Sequence, residues 1–164
     1  MRALIVPVLV LLLTLACRGT QEVGTPLVHG LRSGMGPEEA QAQLAVPAEQ
    51  WHLVDDAVPP RGRGTGFRMQ RVELRHVQHL GVEGRMVLYF FNDSLFRVRF
   101  HPADFPRFQR QLAEKEGLTL APGTTVEREP ATRVKALRDQ EGGGYVLWED
   151  TEILALWEAI TKRR

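Results

Sequence analysis

A single cysteine, Cys17, is all the thiol chemistry in this 164-residue chain. Disulfides and thiolate metal clusters are therefore excluded. Serine is almost as scarce. Ser33 and Ser94 are the only two, and neither lies in a Gly-x-Ser-x-Gly nucleophile elbow. No apolar run reaches the roughly 20 residues that a membrane-spanning helix needs. Strong net charge is also missing: the whole chain carries +1, and the part after residue 16 is neutral. That balance, with the signals of secretion below, argues against a nucleic-acid partner. One further absence is local. Residues 61–110 contain no lysine, yet they hold ten arginines against four acids, a net +6. Residues 17–60 carry −4 and residues 111–164 carry −2.

The cysteine is informative because of what precedes it. Met1 and Arg2 lead into an apolar run from Ala3 to Leu15, and small Ala16 stands before Cys17. A positive start, a short apolar segment and a small residue at the cut are the parts of a secretory signal peptide, predicted over residues 1–16. The stretch Leu13-Thr14-Leu15-Ala16-Cys17 resembles the lipobox of bacterial lipoproteins. That resemblance implies cleavage between Ala16 and Cys17, diacylglycerol on the Cys17 thiol and acylation of the new amine. Arg18, not aspartate, follows the cysteine. By the sorting rule of that class this favours the outer membrane, facing the periplasm.

Residues 17–33 have little periodicity and are predicted to be the lipidated N-terminus and a tether. Residues 34–164 are long enough for one domain with an adequate core. Pro37, Glu38 and Glu39 suit the first turn of a helix, which Pro47 stops. Trp51–Asp56 reads as a short strand and residues 59–66 as a loop. Val72 and Leu74, then Met86, Leu88 and Phe90, then Phe96, Val98 and Phe100 alternate with charged or polar residues. This period of two predicts half-buried antiparallel strands, with Asn92-Asp93-Ser94 turning between the last two. A second helix is expected from about Asp104 to Glu116, capped by Asp104, ended by Gly117 and buried through Phe105, Phe108 and Leu112.

The order then recurs in degenerate form. Gln41–Ala45 matches Gln109–Ala113, Arg71-Val72 matches Arg133-Val134, and Phe91-Asn92-Asp93 matches Trp148-Glu149-Asp150. The expectation is an α+β domain, two helices packed on antiparallel sheet, built as a tandem of helix-plus-meander units near 34–103 and 104–164. Residues 151–160 have helical composition with Asp150 as a cap, whereas the repeat predicts a strand there. The strand is preferred.

Few residues suggest chemistry. His76 and His79 have metal-like spacing, but residues three apart on a strand point to opposite faces. Arg61–Gly66 is glycine-rich without Gly-Lys-Ser/Thr. Asp55-Asp56 and Glu38-Glu39 are adjacent pairs, poorly placed for two-carboxylate catalysis. No nucleophile, general base, metal site or cofactor is expected. If the apolar alternation faces the core, then Arg71, Arg75, Arg85, Tyr89, Phe91, Arg97 and Arg99 share the opposite face. Arginine with aromatic residues is an interface composition, although arginine stems also cover sheet faces with no partner.

The Gly34-Met35 pair leading into a helix with early acids and Leu44, followed by Phe90-Phe91-Asn92-Asp93-Ser94-Leu95, resembles the SmpA/OmlA-type outer-membrane assembly lipoproteins. The related β-lactamase-inhibitor fold is a tandem of helix-and-meander units. The resemblance implies a non-enzymatic envelope protein whose sheet faces a partner. The function expected is thus a lipid-anchored binding or scaffolding protein, its partner an envelope protein or an anionic lipid. A small envelope hydrolase with an unrecognised site is the alternative.

Overall fold

The computed structural model describes residues 24–57, 67–128, 131–140 and 142–161. The expected signal peptide, Cys17 and the 59–66 loop lie outside the described residues. In chain order the elements are α1 (Pro37–Leu44), a single 3-10 turn (Ala48–Gln50), β1 (His52–Ala57), β2 (Met69–His79), β3 (Val82–Phe91), β4 (Ser94–Pro102), α2 (Phe105–Glu116), β5 (Thr125–Arg128), β6 (Thr132–Arg138), β7 (Gly144–Asp150) and α3 (Thr151–Thr161). The fold is α+β. One antiparallel sheet has the strand order β1-β2-β3-β4-β7-β6-β5.

The local signals act as their chemistry requires. The Asp104 carboxylate accepts the Arg107 N–H at 2.9 Å, and Gly117 takes the left-handed conformation that ends α2. Asn92 and Asp93 both have positive φ, as a two-residue hairpin turn requires. One face of the sheet carries the main core. Leu74, Met86, Leu88, Phe90, Val98, Phe100, Val134, Val146 and Trp148 pack there against Ala40 of α1 and Phe108 and Leu112 of α2. Gly84 lies under this layer, where an added Cβ would come within 2.7 Å of the Phe100 ring.

Two bulges change which residues face the core. In β2, Leu74 pairs with Met86 but Val77 pairs with Gly84, so one extra residue is accommodated around His76, which has φ 57°. The inward set therefore changes from even to odd numbers, and His79 enters the core at 4 % exposure. His76 stays exposed, its Nδ1 2.6 Å from Glu83. In β4, Tyr89 pairs with Arg97 and Phe90 with Leu95, leaving Phe96 as the extra residue. Leu95 takes the inward place, and Phe96, expected in the main core, packs on the other face with Phe91 and Leu154.

Two further expectations are corrected. Residues 24–33 are not a tether: Thr25, Leu27, Val28, Leu31 and Ser33 are buried, and Leu27, Val28 and Leu31 join the core beside the helices. The Thr132 hydroxyl donates to the Pro26 carbonyl at 2.6 Å and ties this segment to the sheet. Residues 151–161 form helix α3, not a strand, so the domain has three helices among the described residues. Asp150 Oδ1 accepts the N–H groups of both Glu152 and Ile153 at 2.9 Å. With that cap in place, Ile153, Leu154, Trp157 and Ile160 fall at helical spacing and reach the sheet together.

Candidate binding face

The sheet face opposite α1 and α2 is only partly covered. α3 lies over one end of it, where Leu154, Ile153, Trp157 and Ile160 pack on Phe91, Phe96, Phe67, Met69 and Tyr89. The remainder is built by register. One row across the strands runs Arg71, Tyr89, Arg97, Glu149, Arg133, Glu127. The next runs Glu73, Val87, Arg99, Leu147, Lys135, Thr125. Beyond it Arg85 pairs with His101, whose ring stacks on Tyr145 at 5.0 Å, with Arg75 alongside. Seven cations thus share this surface with Glu73, Glu83, Glu127 and Glu149.

The expected residues have different fates within this face. Arg71, Arg75 and Arg85 are exposed, and Tyr89 and Arg99 are half-buried. Phe91 faces the same way but is buried under α3. Arg97 is sunk into a structural cluster. Its Nη2 lies 2.7 Å from Glu149 Oε1, while Lys135 Nζ holds Oε2 at 2.8 Å. Its guanidinium carbon also sits 5.3 Å from the Phe96 ring and 5.6 Å from Trp157. Glu149 is 1 % exposed, so it depends on these two cations for its charge.

Glu73 acts as a smaller hub, 3.2 Å from both Arg75 and Arg85. Burial pushes its pKa up, but the hydrogen bonds and charges of the two arginines outweigh this and hold it below its ordinary value. His101 is pushed down to about 4, first by burial and then by Arg85 and Arg99, against the opposing pull of Asp139 and Glu73. It is therefore neutral at pH 7. A hollow of about 450 Å³ opens beside the β2 bulge, lined by Glu73, Arg75, His76, Glu83, Arg85 and His101 among others.

The His101 Nδ1–Asp139 Oδ2 distance is 3.9 Å, too long for a hydrogen bond. Ser33 Oγ is engaged, accepting the Thr25 N–H at 2.8 Å. Among the described residues no three His, Cys, Asp or Glu side chains gather as metal ligands. His101, Arg133, Lys135, Tyr145, Leu147 and Glu149 were not anticipated as part of this face. The signal was present: in Gly144–Asp150, Tyr145, Leu147 and Glu149 alternate with inward Val146 and Trp148. Comparison with protein-family models, curated proteins and solved structures finds no match to this chain.

Proposed function

We propose that this chain is a lipid-anchored binding protein of the bacterial cell envelope, without catalytic activity, whose open sheet face docks an acidic protein surface. The observation that carries the reading is the composition of that face: seven cations and two tyrosines against four carboxylates, spread over six strands that no helix covers fully. Arginine and tyrosine are enriched where proteins meet. The lipobox-like stretch ending at Cys17 supplies the anchor, and the outer membrane is the favoured site. Residues 24–33 pack on the opposite, helix-bearing side of the sheet. The seven residues from Cys17 to Val23 span at most about 25 Å. An anchor on that side favours a face turned toward a protein over one pressed on the bilayer.

The helix-plus-meander order, α1 with β2-β3-β4 and α2 with β5-β6-β7, supports a tandem origin, with β4 and β7 adjacent at the junction. The sequence matches run differently, since they equate β3 with β7.

Two measurements test the function. Cys17→Ser should move the protein from the membrane fraction to the soluble one, or stop its maturation. Unchanged membrane association would remove the anchor from the reading. The wild-type domain should be retained on immobilised polyglutamate at low salt and released as salt rises. Retention should be lost in Arg71→Ser/Arg85→Ser/Arg99→Ser, which leaves structural Arg97 in place. Equal retention of the triple variant would remove the face.

A further inference from the structure

On the open face, Arg75, Arg85, Arg97, Arg133 and Lys135 each have a carboxylate oxygen within 3.2 Å. Arg99 has none among the described residues. It stands in the middle of its row, between Val87 and Leu147, which are buried at 5 % and 6 % exposure and form an apolar floor. Its guanidinium carbon lies 4.7 Å from the Tyr145 ring centre and 5.5 Å from that of Tyr89. Two aromatic rings therefore steady the guanidinium where its neighbours use an acid. Among the described residues its Nε has no hydrogen-bond partner, as is also true of Arg97 Nε and of Nε2 of His101, the next outward residue on β4. A buried guanidinium N–H left without an acceptor is a standing cost that an incoming acceptor relieves. Arg71 also lacks an acid among the described residues, but it is exposed on the far side of Tyr89.

We infer that Arg99 is the anchor of this face, and that it receives one aspartate or glutamate carboxylate of the partner between Tyr89 and Tyr145. The inference rests on the reading of the face as a docking surface, and adds which residue dominates and which chemical group it takes. A guanidinium offers a carboxylate two parallel N–H donors, which a lysine ammonium cannot. Its setting also selects a protein over a lipid surface. Glu83 and Glu127 lie exposed among the cations, so a uniformly anionic bilayer meets repulsion at both points. A protein can set a base against Glu83 and an acid against Arg99. An arginine and two tyrosines over a desolvated floor, ringed by paired charges, is the composition of an interface hot spot.

The test uses the folded protein and a fluorescein-labelled peptide with glutamates at alternate positions, its glutamine counterpart, and vesicles of phosphatidylglycerol and phosphatidylethanolamine in equal parts. The glutamate peptide should bind the wild type. Arg99→Gln and Arg99→Lys should each weaken it about thirtyfold, with Arg71→Gln costing only about threefold. Thermal midpoints of the Arg99 variants should match the wild type, because no buried carboxylate depends on Arg99. If Arg99→Gln binds like wild type while Arg71→Gln and Arg85→Gln lose binding, the anchor assignment fails and the docking face stands. If neither peptide binds at low salt, the docking face fails too. If the vesicles bind in an Arg99-dependent way and the glutamate peptide does not, the ligand is a lipid phosphate and the carboxylate assignment is overturned.

Discussion

Acid should weaken this domain, and His79 sets much of the slope. Its ring lies in the core, 5.4 Å from Phe108, 5.6 Å from Phe100 and 6.0 Å from Trp148, with the His29 ring edge-on at 5.4 Å. Burial pushes its pKa down from 6.5 to about 4, and the charge of His29 adds to the shift. The unfolded chain therefore takes up the proton first as pH falls. Stability from a neutral His79 is fully present above pH 6.5, falls progressively between 6.5 and about 4, and is constant below that. A difference of 2.5 pH units corresponds to about 3 kcal/mol at the acid end, a large share of the roughly 5–15 kcal/mol of a normal domain. His101 contributes a slope of the same sign over the same window. Glu116, whose pKa burial pushes up, opposes both. Urea unfolding at pH 7.5, 6.0, 5.0 and 4.5 should show the midpoint moving down steadily. His79→Phe, which keeps an aromatic ring among its neighbours, should flatten that trend by about half. An unchanged trend in His79→Phe, or an NMR titration placing His79 near 6.5 in the folded protein, would refute the reasoning.

Two further outcomes check the structural division of the outer face. Arg97→Ser removes one of the two cations that hold buried Glu149 and should lower stability by about 3 kcal/mol in a chemical denaturation curve. Asp150→Ala removes the acceptor for two N–H groups at the start of α3 and should cost about 1 kcal/mol. Its effect on α3 should appear as a shift of Trp157 fluorescence toward a more solvated environment.

Much of the fold was legible because short-range rules and burial agreed. Asp104, Gly117 and the Phe108–Leu112 spacing define α2 without help from the rest of the chain. The strands from Met69 to Pro102 follow period-two alternation, and the Asn92-Asp93 turn fixes the hairpin between β3 and β4. Apart from α3, the failures share a cause: a non-local contact, or one added residue, outweighs the local pattern. Leu27, Val28 and Leu31 looked like tether because three apolar residues without period gain their value only from a core made elsewhere. At residues 151–161 two signals compete, a weak internal repeat and an explicit cap. Asp150 bonding both Glu152 and Ile153 shows that the cap was the stronger physical argument. The face residues on β6 and β7 were missed because strand order, which brings β7 beside β4, is not written in alternation.

The bulge at Phe96 explains why the arginines of β4 divide into two kinds. Strict alternation would place Phe96, Val98 and Phe100 inward and make Arg97 and Arg99 equivalent on the outside. The extra residue instead sends Leu95 into the core and Phe96 outward, at the edge of the patch that α3 covers. Arg97 is thereby trapped between the Phe96 and Trp157 rings and the buried Glu149, with 18 % of its side chain exposed, and its charge is used within the fold. Arg99 is one strand repeat further along, about 6.8 Å away. Its guanidinium rests on Tyr89 and Tyr145, with tyrosines in place of an acid. An arginine count alone would rank the two equally. Arg97 variants should therefore register in stability, and Arg99 variants in binding with stability unchanged. A single variant at each position, measured both ways, separates arginine that covers a sheet from arginine that meets a partner.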